Sequence, residues 1–298
     1  RPGRQSSGSS PHARRSAPPS SSPPSTPKPW RLRPRARALM GNNSCCHSSQ
    51  GGEAETVGSV KSPDPNLVRH TYEDGATYTG QWLDKKRHGQ GEQVWPDGAK
   101  YSGQWKDDMA HGTGRFEHAN GDLYEGEMMG DKAHGLGVYQ GADGLRYEGQ
   151  WAEDRRHGTA TEVWADGARF EGEYVDGRRH GNGTFSWADG SRYEGEFVNN
   201  SINGNGVYQW GDGRKFEGQW MNSKMHGFGV FTWADGRRYQ GCYQNDLKEG
   251  HGVFTWTDGR KYDGEWKDGK QHGEGVFWQA NGEKLTGEWS CGRRVEKS

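Results

Sequence analysis

The chain has 298 residues, among them 49 Gly, 14 Trp, 12 Pro and 4 Cys, and a formal net charge of -1. Leu, Ile, Val and Phe together number only 32, too few for a conventional aliphatic core. The near cancellation of charge and the 12% aromatic content argue against disorder of the whole chain. No stretch approaches the ~20 apolar residues of a membrane-spanning helix. Four cysteines, two of them adjacent (Cys45, Cys46), make no disulfide framework, so a reducing, cytoplasmic compartment is expected.

In chain order, residues 1–67 come first, with 11 of the 12 prolines and one aromatic, Trp30. The segment cannot bury enough surface to offset its ordering entropy and is expected to be a disordered tail. Residues 1–40 carry nine Lys/Arg and no acid, which leaves -10 for residues 41–298. Within the tail, Met40 opens Met-Gly-Asn-Asn-Ser-Cys-Cys. If translation starts there, Gly41 is placed for N-myristoylation and Cys45 and Cys46 for palmitoylation, and the two acyl chains together hold a protein at a membrane. The stretch departs from the strict signal, because Cys45 stands where Ser or Thr is usual. Two alternatives stay open: an Arg-rich organellar transit peptide in residues 1–39, and a chance Met-Gly.

From residue 68 the composition changes and a repeat of 23 begins. Tyr78, Tyr101, Tyr124, Tyr147, Phe170, Tyr193, Phe216, Tyr239 and Tyr262 are spaced by 23 each time. Gly follows two residues later, and a large residue two further on, as in Tyr78-x-Gly80-x-Trp82. A His-Gly pair or its substitute (Asn203-Gly204, Glu249-Gly250) and then an Asp-Gly or Asn-Gly pair complete each unit. Nine full periods span 78–284 within an array of 68–292, and 293–298 form a short C-terminal tail. Tyr-x-Gly-x-Trp has the period of a strand, and so has Gly183-x-Phe185-x-Trp187. Each unit therefore predicts one β-hairpin, with the tight turn at Asp-Gly and a longer turn at segments such as Asp176–Gly181. Lone hairpins are marginal, so successive units are expected to pair edge to edge. The predicted fold is all-β, an elongated single-layer antiparallel sheet with aromatics on one face, rising ~10 Å per repeat to about 90 Å.

Tyr-x-Gly-x-Trp, His-Gly-x-Gly and Trp-x-Asp-Gly at this period resemble the MORN (membrane occupation and recognition nexus) repeat, over about three-quarters of the chain. The resemblance implies a curved sheet whose aromatic-lined concave side receives a helix or peptide. Together with the acylation signal at Gly41, Cys45 and Cys46, it gives the leading expectation of a non-catalytic scaffold, cytoplasmic and membrane-associated. Two alternatives also follow from it: an axonemal or cytoskeletal component of a cilium, similar to radial-spoke head proteins, and a regulatory array related to phosphatidylinositol-phosphate kinases but lacking the kinase.

Seven histidines share one repeat position: His88, His111, His134, His157, His180, His226 and His272. Equivalent residues stand ~10 Å apart, too far to share a metal with ~2.1 Å bonds. They are assigned to turn or packing roles, with no metal and no cofactor. No dinucleotide or phosphate-loop motif occurs, so no enzymatic activity is expected. Phe185, Trp187, Tyr208, Trp210, Phe231 and Trp233 are the expected partner-binding run, since large aromatics supply interface hot spots. Lys85, Lys86, Arg87, Arg155, Arg156, Arg178 and Arg179 are candidates for an anionic-lipid edge at the hairpin tips. Basic residues before the repeat aromatic, such as Arg192, are expected to pair with acids on the outer face. Nucleic acid is disfavoured by the acidic array, and a homodimer is left open.

Overall fold

The computed structural model describes residues 67–295. The tail, including Gly41, Cys45 and Cys46, lies outside the described residues. The chain divides into two units at Arg155/Arg156. In the first, strands run from Val68–Thr71 to Arg146–Ala152, and each pairs antiparallel with the next in sequence. In the second, the same holds from Arg155–Val163 to Arg293–Val295. The fold is thus all-β, a single layer of antiparallel hairpins. Among the described residues no helix is long and apolar enough to cross a membrane.

The repeat beginning at Tyr101 shows why these residues form this unit. The Tyr101 ring reclines over its own strand, and its hydroxyl donates to the Gln104 carbonyl (3.0 Å). Gly103 and its cross-strand partner Gly114 lie beneath. A Cβ at Gly103 would stand 2.6 Å from the tyrosine hydroxyl and 2.5 Å from the Gly114 backbone, so only glycine fits the close approach. Reclining brings the ring within 5.1 Å of Trp105, edge to face. Trp105 also meets Tyr78 of the preceding repeat at 5.4 Å. Its indole N–H donates to the Gly91 carbonyl (3.1 Å). Trp151, Trp220 and Trp266 repeat this arrangement, so the repeats that carry tryptophan here are fastened to their predecessors by a ring contact and a hydrogen bond.

The His-Gly pair makes a bulge. His111, Gly112 and Thr113 stand opposite Gln104 alone, and Gly112 takes φ +64. The Gln104 amide oxygen accepts from the Thr113 N–H (3.2 Å) and so caps the irregularity. Histidine precedes the residue that takes the positive φ.

The two turns are the reverse of the sequence expectation. The tight two-residue turn is Asp107-Asp108, with φ 48° and 68°, between strands Lys100–Lys106 and Met109–Glu117. Asp176-Gly177 is the same turn, not a longer loop, with strand resuming at Arg178. Both central residues have positive φ, the two-residue geometry that suits twisted strands. The Asp-Gly segment is the longer connection. There Trp95 N–H donates to the Ala99 carbonyl (2.9 Å) and Gly98 N–H to the Trp95 carbonyl (3.0 Å). Only Gly98 has positive φ, while the Asp97 carboxylate accepts from the Ala99 N–H (3.1 Å). The tight turn also locks repeats together. The Asp108 carboxylate accepts from the Arg87 N–H (2.9 Å), and the Asp108 N–H donates to the Arg87 carbonyl (3.0 Å).

The face away from the rings carries ion pairs two residues apart, among them Arg146–Glu148 (2.8 Å), Arg192–Glu194 (3.0 Å) and Lys215–Glu217 (3.1 Å). These pairs are exposed and individually contribute little.

Candidate partner-binding face

In the unit from Arg156 onward the second strand of each hairpin, with the tryptophan just after it, builds a continuous row of rings. Trp164 lies 5.3 Å from Phe185, Phe185 4.5 Å from Trp187, and Trp187 5.0 Å from Tyr208. The row continues through Trp210, Phe231, Trp233, Phe254 and Trp256, with steps of 4.5 to 5.3 Å. The sequence-derived run lies inside this row, but its six members are not equivalent. Phe185, Tyr208, Trp210 and Phe231 are buried, covered by their neighbours. Trp187 and Trp233 keep part of their surface in solvent, as do Trp164 and Trp256. The accessible part of the row is therefore a line of indoles, and two of these were not among the candidates.

Arginines flank the indoles. Arg214 lies 5.1 Å from the Trp210 ring centre, Arg237 5.5 Å from Trp233, and Arg260 5.6 Å from Trp256. Each is paired at 2.7 Å with an aspartate of its own turn: Asp212, Asp235 and Asp258. The Trp210 indole N–H is buried with no acceptor.

Beneath the row sits the residue that pairs across the strand with the second large aromatic, as Tyr174 with Arg179 and Tyr243 with Lys248. This corrects part of the proposed lipid edge. Arg156 and Arg179 are 7% and 5% exposed, and the Arg87 side chain is 16% exposed against Trp105, at 4.2 Å. All three point to the ring face, because strand alternation sends them opposite to the preceding residue. Lys85, Lys86, Arg155 and Arg178 are exposed. Arg156 forms an ion pair with Glu162, which stands buried where later repeats have Phe or Tyr. The Tyr174 hydroxyl donates to the same carboxylate. Burial, and then the Glu162 charge, push the Tyr174 hydroxyl well above its usual range. Burial lowers Arg179, whose guanidinium lies 5.1 Å from the Phe185 ring centre. The Lys248 ammonium is ringed by Trp266, Phe254, Tyr239 and Trp233 at 4.6 to 5.1 Å. Burial and the nearby Arg237 charge bring it down to about 7. One signal in the sequence bore on this column. Ala110, Ala133, Ile202 and Met225 occupy the same repeat position as Arg87, Arg156, Arg179 and Lys248, and apolar members mark an inward site.

In the unit ending at Arg155 the row is broken, since Gln93 replaces a ring and accepts from Arg87 (3.1 Å). An open groove of about 800 Å³ lies on the opposite face of that unit, lined by residues including Ser102, Arg115, Glu125, Leu136, Val138 and Glu148. Among the described residues no three His, Cys, Asp or Glu are placed to hold one metal ion.

The hairpin, its reclining tyrosine and its bulge recur with the period of a known repeat. The family model of the MORN repeat matches residues 78–100, 101–123, 124–146, 147–169, 170–192, 193–213, 216–237, 239–259 and 262–284. The chain belongs to the MORN-repeat family. Among curated proteins none matches this MORN array in sequence. Solved structures similar to it include the TCP domain of Drosophila melanogaster SAS-4 in complex with a proline-rich motif of Ana2. That likeness has 12% identity, covers 63% of this chain and 95% of that one, and has a TM-score of 0.32. The TCP10 domain of Danio rerio CPAP in complex with a peptide of STIL gives 14% identity, 75% and 99% coverage, and a TM-score of 0.22. Virginiamycin B lyase from Staphylococcus aureus gives 9%, 76% and 86%, and 0.16. At these values none of them bears on what this MORN chain binds.

Proposed function

We propose that this MORN array is a non-catalytic scaffold that binds a segment of a partner protein along the ring row between Trp164 and Trp256. The observation that carries the proposal is the line of partly exposed indoles above rings that bury one another. The buried rings stabilise the sheet, and the indole edges remain for a partner. Rigid aromatic surface of this kind supplies contact area at low entropic cost. In the same proposal the acylated N-terminus at Gly41, Cys45 and Cys46 holds the scaffold at a membrane, a reading that rests on the sequence pattern alone.

The test is a selection from a random-peptide display library on the full chain. Enriched peptides should lose at least tenfold in affinity for a Trp187→Ala, Trp233→Ala variant, consistent with aromatic hot spots worth ~2 kcal/mol or more. Peptides that bind this variant unchanged, while its melting temperature shows it folded, would place the binding surface elsewhere.

A further inference from the structure

We infer that the occupant of the ring row is a proline-rich segment of a partner protein in the polyproline II conformation. This rests on the row being the binding face and adds the conformation of what binds there.

The spacing of the indoles favours this conformation. The row runs across the strands, so equivalent indoles of successive repeats are two strands apart, about 9.6 Å. A polyproline II helix rises about 3.1 Å per residue with three residues per turn, so side chains on one side recur every ~9.3 Å. The drift is ~0.3 Å per repeat, or about 1 Å over the four steps from Trp164 to Trp256. An α-helix repeats a face every seven residues, ~10.5 Å, and drifts about three times as fast. A β-strand sends its third residue to the opposite side and cannot keep one face on the indoles.

The charge of the rim favours it too. Arg214, Arg237 and Arg260 are each neutralised by an aspartate at 2.7 Å. The rim of the row is therefore electrically balanced, and the two cations beneath the rings, Arg179 and Lys248, have their charge disfavoured by burial, so the rim itself offers an acidic or basic segment no unpaired charge. Pyrrolidine rings are apolar and uncharged, and they dock on aromatic surfaces.

The Trp210 N–H points the same way. It is a buried donor without an acceptor, in a residue 6% exposed, in the middle of the row and beneath Arg214. A polyproline II backbone makes no internal hydrogen bonds and has every carbonyl free. A carbonyl that displaces the Arg214 guanidinium would satisfy the indole N–H, and the indole could not be satisfied by an α-helix, whose carbonyls are used internally.

The experiment titrates the full chain with three synthetic peptides of equal length by calorimetry. One repeats Pro-Pro-Ser, one has the same composition with the period of three scrambled, and one is an uncharged amphipathic helix. The chain itself carries Pro18, Pro24 and Pro27 at multiples of three, so a second full chain with these changed to Ala removes competition in cis. The periodic peptide should bind at least tenfold tighter than the scrambled one to both proteins. Trp187→Ala with Trp233→Ala should abolish binding, and Trp210→Phe should weaken it about fivefold, the loss of one hydrogen bond. Helical binding that depends on the same tryptophans would overturn the polyproline inference and leave the binding face standing. Equal binding of periodic and scrambled peptides would likewise overturn the inference. Binding of all three peptides that ignores Trp187 and Trp233 would overturn both.

Discussion

Lys248 places a cation where Ala110, Ala133, Ile202 and Met225 are apolar and Arg87, Arg156 and Arg179 are also basic. Its ammonium is lowered to about 7 by burial and by Arg237, while four ring faces at 4.6 to 5.1 Å favour the charged form. The folded pKa lies below the ordinary lysine value of about 10.4. Between about 7 and 10.4 the unfolded chain binds a proton that the folded chain releases, so stability rises with pH through that window. Below about 7 the full cost of enclosing the charge is present. Lys248→Met installs the residue that Met225 supplies one repeat earlier. It should raise stability at pH 6 by roughly 1–3 kcal/mol, and the gain should shrink towards pH 10. Urea unfolding of both proteins from pH 6 to 10 checks this, and a gain that does not depend on pH would refute the assigned titration. At this scale the sequence was only partly legible. Tyr101, Gly103 and Trp105 announced their shared face by their period. The inward direction of Arg156, Arg179 and Lys248 did not show, because their charge and their place beside the turn suggested solvent. Only comparison with Ile202 and Met225 in the same column reveals it.

Within the hairpin, the buried ion pair of Arg156 and Glu162 is the largest departure from the repeat. Charges removed from water are compensated there by each other and by the Tyr174 hydroxyl. Removing one partner leaves the other uncompensated, whereas replacing both by apolar residues of similar volume is often neutral or stabilising. The array supplies the replacement, since Met225 and Phe231 occupy the same two positions three repeats later. Glu162→Phe alone should therefore cost about 3–5 kcal/mol, and Glu162→Phe with Arg156→Met should recover most of it. Melting temperatures of the four proteins of the cycle give the coupling, and an additive double variant would show that the pair acts independently. The hairpin itself was legible from alternation and from the Gly pairs. The assignment of its two turns was not, because Asp-Gly carries the strongest tight-turn signal in a sequence. Asp84-Lys85 and Asn222-Ser223 look ordinary, yet these are the pairs with both residues at positive φ, and Asp97-Gly98 opens the longer loop.

Within each unit the described strands pair only with their neighbours in sequence, so the surface a repeat offers is set locally. That makes the membrane question one of charge and of which residues reach the tips. Residues 1–40 carry a charge of +9 and residues 41–298 carry -10. Of the seven basic residues first assigned to the tips, three are turned towards the ring face. Arg178 is exposed beside Val175, and each such base adds about 1 kcal/mol at an anionic surface before salt screening. Acidic residues of the outer face and the turns oppose this. A chain started at Met40 and left unacylated should therefore show weak or no pelleting with vesicles containing phosphatidylserine. Expressed in cells, the same chain should incorporate a myristate analogue, and Gly41→Ala should abolish both incorporation and pelleting. Cys45→Ser with Cys46→Ser should leave a weakly held protein, because one acyl chain binds only marginally. The two sources of membrane affinity separate on salt. Acyl anchoring persists at high ionic strength, whereas contact through the tips falls within the shortened Debye length. Strong binding of the unacylated chain that is lost with salt and with Arg178→Glu would reverse this assignment and make the repeats the lipid-recognising element.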